Sequence, residues 1–195
     1  MATTPVSSGR YNAVAMTLHW VIAALILTNI GLAWYWDGLT PSSRFGLTQI
    51  HKSIGITVLA LSLVRLAWRF LRPPPPLPST LAPYEKLIAS TVYVLFYLFM
   101  IGMPLSGWAM VSASKRKAFP TGVFGIPFPA IPPVANLPAD QLHQAHELLV
   151  TTHELLAWAA YVLIALHVLA AFRHLLLLRD GVMARMVPFL KAKPA

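Results

Sequence analysis

Residues 153–174 are HELLAWAAYVLIALHVLAAFRH, and this stretch decides the fold. Between Glu154 and Arg173 it contains no aspartate, glutamate, lysine or arginine. A helix of roughly 20 apolar residues is long enough to cross the hydrocarbon core of a bilayer, which is about 30 Å thick. The stretch therefore predicts a membrane-spanning helix, and it carries His153 and His167 at two different depths.

The composition of the whole chain supports a membrane protein. Of 195 residues, 57% are hydrophobic and only 11% are charged, whereas a soluble domain has about 25% charged residues. So few charges exclude an ordinary soluble globule, and so many apolar residues exclude disorder. Because the chain has no cysteine, disulfides, iron–sulfur clusters and thiolate haem ligation are also excluded.

Three further apolar stretches precede the one quoted above. We expect spans at about residues 14–36, 51–70, 87–111 and 148–178, and we expect the last helix to start earlier, near Asp140. The first span is too long for a cleaved signal peptide and is followed by further spans. The predicted fold is all-α, a four-helix transmembrane bundle that forms a single domain over residues 1–195.

Basic residues in the loops predict the orientation of the bundle. Ten lie on the side of the two termini and five on the other side, so the positive-inside rule places both termini in the cytoplasm. The ten are Arg10, Arg65, Arg69, Arg72, Lys86, Arg173, Arg179, Arg185, Lys191 and Lys193, and the five are Arg44, Lys52, Lys115, Arg116 and Lys117. Topology and contact with anionic lipid explain the net charge of +9, so we expect no nucleic-acid partner.

Two of the connections between spans are rich in proline. Residues 73–76, followed by Pro78, predict a stiff polyproline spacer on the cytoplasmic side. The outer loop over residues 112–136 contains a basic cluster and five prolines. This loop is either a lid on the outer end of the bundle or a solvated connector.

Histidines at membrane depth form the candidate site. His153 and His167 are 14 residues apart, so they lie on nearly the same helix face and about 21 Å apart along the axis. His51 begins the second span at the depth of His153, and His19 lies in the first span at the depth of His167. We call His51 with His153 the outer pair, and His19 with His167 the inner pair. Ionisable residues inside membranes are costly and commonly functional.

Two such pairs suit haem better than other ligands. Paired neutral imidazoles on facing helices can hold a haem iron axially, whereas a tetrahedral zinc site needs more ligands than a pair supplies. Gly55, one turn after His51, provides a place where a flat macrocycle can approach the backbone. Simple hydrogen bonds between helices are the alternative role of such histidines, and His146 is the rival to His153.

The sequence resembles the bacterial cytochrome b561 family from about Arg10 to Pro188. The matching pieces are Leu18-His19-Trp20, His51-Lys52-Ser53-Ile54-Gly55, Arg65, Trp68-Arg69, Pro104-Leu105-Ser106-Gly107-Trp108, His153-Glu154, Leu166-His167, Arg179-Asp180-Gly181 and Arg185-Met186-Val187-Pro188. The resemblance implies a multi-pass protein of the bacterial inner membrane with two b-type haems, bound by His19, His51, His153 and His167. The chain departs from the family at Ser90 and Tyr93, where other members often have histidines.

The resemblance also implies a function. Iron with two axial histidines has no open position, which leaves electron transfer at the haem edge. We expect transfer between a periplasmic donor and membrane quinone, and superoxide is the donor for some members of the family. Lys115, Arg116 and Lys117, with Lys52, could attract such an anion. Among further candidate partners are a second copy of the chain and a redox protein.

Two arginines near the inner pair are further candidate site residues. Arg65 and Arg69 are candidates for binding a haem propionate, although positive-inside anchoring explains the same residues.

One alternative function is a haem-bearing anchor or electron-relay subunit that serves a partner enzyme and has no substrate of its own. Another is a haem-free transporter or sensor whose histidines relay protons.

Overall fold

Five helices and one short hairpin make up the fold. A computed structural model describes residues 9–36, 38–77, 81–114 and 122–190. The helices are α1 Ala13–Tyr35, α2 Pro41–Leu71, α3 Pro83–Ser112, the short α4 Pro132–Ala135 and α5 Ala139–Phe172, and the antiparallel hairpin consists of β1 Gly122–Val123 and β2 Ile126–Pro127. After α5 the chain continues as a π-helical turn, Arg173–Leu178, and a 3₁₀ turn, Met183–Arg185.

Four of these helices, α1, α2, α3 and α5 with its π-helical extension, are long and apolar enough to cross a membrane. They confirm the predicted four-helix bundle. Large apolar side chains such as Leu27, Leu98 and Leu169 are exposed on the outside of the bundle, which is the arrangement expected of a surface that lipid covers. Within the described ranges the only strands are the two of the hairpin, and each is two residues long.

The second helix begins ten residues before the predicted start of its span. Thr40 and Pro41 explain this difference, because a threonine N-cap followed by proline is a typical helix start. The Thr40 side chain accepts a hydrogen bond from the Ser43 amide. Residues 41–50 include the polar residues Ser42, Ser43 and Arg44, so the first ten residues of α2 extend beyond its apolar segment. The last long helix begins at Ala139, next to its expected start.

The helices pack in a sequence of neighbours. α1 packs on α2, α2 on α3, and α3 on α5. Ile22, Ile54 and Val58 form the buried apolar cluster where α1 meets α2. α1 and α5 also approach each other through side chains, since the Trp34 and Tyr161 rings are 5.5 Å apart. The histidines lie between the α1–α2 pair and α5.

The two described ends of the chain meet at one end of the bundle. Arg10 donates a hydrogen bond of 2.8 Å to the Val187 carbonyl. Arg185 donates to the carbonyls of Pro75 and Pro76, also at 2.8 Å. The N-terminal segment, the proline-rich connection and the C-terminal segment are therefore joined on one side, as an even number of spans requires.

The described part of the outer loop packs on the opposite end of the bundle. The Phe124 amide donates to the Ser53 hydroxyl at 2.8 Å, and the Trp108 indole donates to the Pro129 carbonyl at 2.9 Å. Phe124 and Gly125 have φ values of 50° and 83°, which suit a tight hairpin turn. These contacts favour the lid over the solvated connector. Residues 115–117, the basic cluster, lie outside the described residues.

Candidate functional site: two stacked histidine pairs

The outer pair joins α2 to α5. The imidazole centroids of His51 and His153 are 6.4 Å apart, and the two ring planes are inclined by 71°. The inner pair joins α1 to α5, with the centroids of His19 and His167 6.3 Å apart and the planes inclined by 78°. The structure thus brings together both pairs that the spacing predicted.

These separations distinguish between a metal and a hydrogen bond as the link between the rings. Two imidazoles joined by an N–H···N hydrogen bond of about 3 Å have centroids roughly 5–5.5 Å apart. Two imidazoles on opposite sides of one metal ion, with bonds of about 2.0–2.1 Å, have centroids roughly 6–6.5 Å apart. Both observed distances fall in the second range. The residues therefore fit a haem iron held between each pair.

Hydrogen bonds fix the tautomer of the outer histidines. The Ser106 hydroxyl donates its proton to the Met103 carbonyl at 2.8 Å, so it can only accept from Nδ1 of His153, which lies 2.9 Å away. Nδ1 of His51 donates to the Asn29 carbonyl at 3.3 Å. Both Nδ1 atoms therefore carry the proton, which leaves each Nε2 with a free lone pair for a metal. Such second hydrogen bonds commonly orient metal-binding histidines.

Gly107 gives His153 room to lie against α3. A Cβ atom at this position would lie 3.1 Å from Cε1 of His153, closer than an ordinary contact. Sequence reasoning assigned no role to Ser106 or Gly107, although both belong to the Pro104–Trp108 piece that carried the family resemblance. Only the packing of α3 on α5 reveals that this piece faces a histidine.

The inner pair has aromatic neighbours instead. The Phe96 ring lies 5.0 Å from the His167 ring, and the Trp20 ring lies 5.3 Å from the His19 ring. Trp20 is itself held by a hydrogen bond of 2.9 Å to the Met186 carbonyl. In the part of the chain that the structure describes, neither inner histidine has a hydrogen-bond partner for its ring.

The two candidate propionate-binding arginines lie on the side of the inner pair. Arg65 donates to the Ala15 carbonyl at 2.9 Å, one helical turn before His19. The Arg69 guanidinium lies 3.6 Å from the centre of the Tyr93 ring. Both arginines and Tyr97 line a small cavity of about 20 Å³. Arg65 also hydrogen-bonds the Tyr97 side chain, and its remaining N–H groups are left for another acceptor.

Gly55 lies beside Asn29, near the outer pair. The nearest atom to a Cβ built on Gly55 is the Asn29 side-chain nitrogen at 3.9 Å, so the backbone has open space around it. On the other side of His51, the Trp36 ring lies 5.0 Å from the imidazole.

Comparison with known proteins decides the family. A family described as prokaryotic cytochrome b561 matches residues 10–189. The chain belongs to this family. Membership identifies a multi-pass electron-transfer protein of the bacterial inner membrane that lies in the lipid bilayer and uses haem b.

Three relatives cover nearly the whole chain. Cytochrome b561 homolog 2 of Escherichia coli K12 is 30% identical over 91% of this chain and 91% of its own length. Probable superoxide oxidase CybB of Yersinia pestis is 29% identical over 92% of this chain and 96% of its own. Cytochrome b561 homolog 1 of Escherichia coli K12 is 25% identical over 92% and 97%. One relative's name supports an oxidoreductase role for this cytochrome.

Three other histidines of this cytochrome, His143, His146 and His174, are not part of the pairs. His146 lies 3.5 Å from the Glu147 carboxylate, and His153 rather than His146 faces His51. Nδ1 of His174 lies 2.6 Å from the Asp180 carboxylate, so this side chain pairs within the chain. Although burial acts to raise the pKa of Asp180, hydrogen bonds from His174 and from the Val182 amide outweigh it and lower that pKa.

Proposed function

We propose that the chain is a di-haem cytochrome in which His51 and His153 hold an outer haem b and His19 and His167 hold an inner one. The separation of 6.3–6.4 Å within each pair is the observation that carries this proposal. Arg65 and Arg69 bind a propionate of the inner haem, and Gly55 leaves room for the outer macrocycle. Each haem, when bound, supplies one-electron redox chemistry at an iron with no open position.

The proposed orientation follows from charge. The end at which Arg10 and Arg185 join the two termini carries most of the basic residues, so we place it and both termini in the cytoplasm. The outer pair then lies toward the periplasm, under the hairpin. In this arrangement residues 1–195 form one domain that spans the bilayer four times.

The proposed reaction moves electrons from a periplasmic donor to membrane quinone. We take superoxide as the donor, supported by the relative named as a probable superoxide oxidase. Two superoxide anions each lose one electron and become two molecules of oxygen. One quinone accepts the two electrons and two protons and becomes a quinol. With both histidines of each pair used to hold a haem, the iron would have no position for the donor, so the donor would deliver its electrons at the haem edge.

A lipid-facing cleft between α2 and α3 is the place that suits the quinone. Its volume is about 420 Å³, which lies within the usual range for small-molecule sites. Its lining consists of Leu66, Tyr93, Val94, Tyr97, Leu98, Ile101 and Gly102. Val94 and Leu98 are 52% and 62% exposed, so a lipid-soluble molecule can enter from the bilayer.

Tyr97 places this cleft near a source of protons and near the inner pair, the source of electrons. The same side chain lines the small cavity of Arg65 and Arg69 on the proposed cytoplasmic side, from which protons can come. The preceding residue, Phe96, contacts the ring of His167. A quinone ring beside Tyr97 is therefore close to the inner pair.

The second candidate function is a haem-bearing electron-relay subunit without a substrate of its own. The observation in its favour is the outer hairpin, on which Phe124 and Ile126 are 67% and 70% exposed. Exposed apolar residues outside the spans suit a docking surface for a redox partner or a second copy of the chain. Turnover of quinone with superoxide by the purified chain alone favours the enzyme, and absence of turnover favours the relay subunit.

Reduced-minus-oxidised spectra of two variants test the assignment of the pairs. We expect His51→Ala and His167→Ala each to remove a different one of two b-type haem signals. The matched control is His143→Ala, which changes an exposed histidine at the start of α5 and is expected to keep both signals. Loss of the same signal in both variants, or of none, would overturn the pairing.

A further inference from the structure

The outer and inner pairs differ in what their second ring nitrogens contact. Nδ1 of His153 donates to the Ser106 hydroxyl and Nδ1 of His51 to the Asn29 carbonyl. Resting on the proposed di-haem function, we infer that Ser106 and the Asn29 carbonyl lower the potential of the outer haem below that of the inner haem, so that electrons pass inward.

The direction follows from the chemistry of imidazole. When Nδ1–H donates a hydrogen bond, Nε2 becomes a more basic ligand. A more basic ligand stabilises ferric iron relative to ferrous iron, which lowers the reduction potential. The bond to Ser106 is the stronger of the two, because it is 2.9 Å long and the same hydroxyl is polarised by its own donation to Met103.

The surroundings of the inner pair act on the reduction potential in the opposite direction. Within the described ranges no oxygen accepts a hydrogen bond from His19 or His167. The positive charge of Arg65 is held near His19, because its guanidinium donates to the Ala15 carbonyl one turn away. A nearby positive charge favours the reduced state, which carries less positive charge. The contacts of the inner pair therefore raise the potential.

Charged residues near the outer pair do not reverse this order. Lys52 directly follows His51 in α2, and Glu154 directly follows its partner in α5. Their charges are opposite in sign, and Glu154 acts electrostatically on His153. Arg44 lies on the Trp36 ring, with its guanidinium carbon 5.9 Å from the ring centre. The hydrogen bonds of the outer pair and the charge of Arg65 beside the inner pair are then the differences that set the order.

The inferred order matches the proposed reaction. With a haem held by each pair, electrons would pass one at a time from the periplasmic donor, which is oxidised, by way of the outer pair to the inner pair, with no bond formed or broken. At the inner pair Phe96 contacts His167, and the next residue, Tyr97, lines the quinone cleft. Ser106 acts as a positioning residue, since it contacts a proposed ligand and not the iron.

A redox titration of the purified holoprotein tests the inference. We expect two components in the wild type, and we expect His51→Ala to remove the one with the lower potential. Ser106→Ala should raise the lower potential by about 59 mV, which corresponds to a tenfold shift of the electron equilibrium between the haems, and should leave the higher potential unchanged. Ser106→Thr retains the hydroxyl and should restore the wild-type value.

Ser90→Ala is the matched control, because Ser90 also lies in α3 and donates to a backbone carbonyl, that of Lys86, at 2.9 Å. It should move neither potential. If His51→Ala removes the higher component, or if Ser106→Ala lowers or does not move the lower one, the inference is wrong. If Ser106→Ala binds no outer haem, the wild-type and His51→Ala titrations still decide the order. A wild type without two haems would instead contradict the proposed function.

Discussion

Ser106 on α3 accepts a hydrogen bond of 2.9 Å from Nδ1 of His153 on α5. The contact is set by the packing of these two helices, and it assigns the proton of that imidazole to Nδ1. The next residue, Gly107, lies against the same ring. The third span, which contributes no histidine to either pair, therefore positions one of the four proposed haem ligands.

Replacing Gly107 by alanine should weaken the outer haem selectively. The added Cβ would lie 3.1 Å from Cε1 of His153, so the ring must move away from α3. We expect less haem per purified chain, with the loss confined to the signal that His51→Ala also removes. Gly102→Ala is the control in the same helix, because a Cβ there has no atom within 4 Å. Equal losses in both variants would show that helix stability, and not the His153 contact, is responsible.

Filling the quinone cleft should slow quinone reduction without disturbing the haems. Gly102 lines the cleft and has open space at its Cβ position, so Gly102→Leu extends into the cleft. We expect the KM for quinone to rise about tenfold, with an unchanged haem spectrum. Gly46→Leu, also with open space at its Cβ but outside the cleft, should behave as the wild type. An unchanged KM in Gly102→Leu would remove the cleft as the quinone site.

The basic cluster of the outer loop should attract the anionic donor. Changing Lys115, Arg116 and Lys117 together to glutamine should slow the reduction of haem by superoxide severalfold at low ionic strength. The difference should shrink as salt screens the charges. Stopped-flow measurements at two salt concentrations check this, and equal rates in both proteins at low salt would contradict steering.

The His174–Asp180 pair should stabilise the C-terminal segment in a pH-dependent way. Its distance is 2.6 Å, and the pKa of Asp180 is lowered in the folded protein. A carboxylate with a lowered pKa stabilises the fold above its unfolded pKa, which is about 3.9, and this stabilisation is lost as the pH falls through the folded pKa. Asp180→Asn should lower the Tm in detergent by a few degrees at pH 7.

The same comparison at acidic pH gives the contrasting result. As the pH falls from the unfolded pKa of about 3.9 through the lower pKa of folded Asp180, the wild-type carboxyl becomes protonated, so the Tm difference between wild type and Asp180→Asn should shrink and then disappear. A difference that does not shrink over this pH range would mean that the carboxylate charge has no part in the stabilisation. His146, which pairs with Glu147 on the surface, should show no comparable effect when changed to asparagine.

The pairing of the histidines could be predicted from sequence because depth in a membrane helix depends only on the fixed rise per residue. The distance between His153 and His167 and the alternating direction of the spans define which residues share a level. The contacts of Ser106 and Gly107 could not be predicted, since they depend on the rotation of α3 against α5. That rotation is a product of packing and leaves no periodic pattern.

Local backbone conformation accounts for the other differences. His174 meets Asp180 because Arg179 and Gly181 have φ values of 49° and 81°, which reverse the chain after the π-helical turn. Spacing alone gives no sign of an arginine in the left-handed region. Thr40 and Pro41 are a sequence signal for the early start of α2. A prediction of spans from apolar residues alone misses helical turns that extend into water.

The central claim is that the outer pair and the inner pair of histidines each hold one haem. Its most direct test is the amount of haem b per purified chain, together with the electron paramagnetic resonance spectrum of the oxidised protein. The account predicts two haems per chain, both low-spin with two axial imidazoles. One haem or none per chain, or a high-spin iron with an open position, would contradict it.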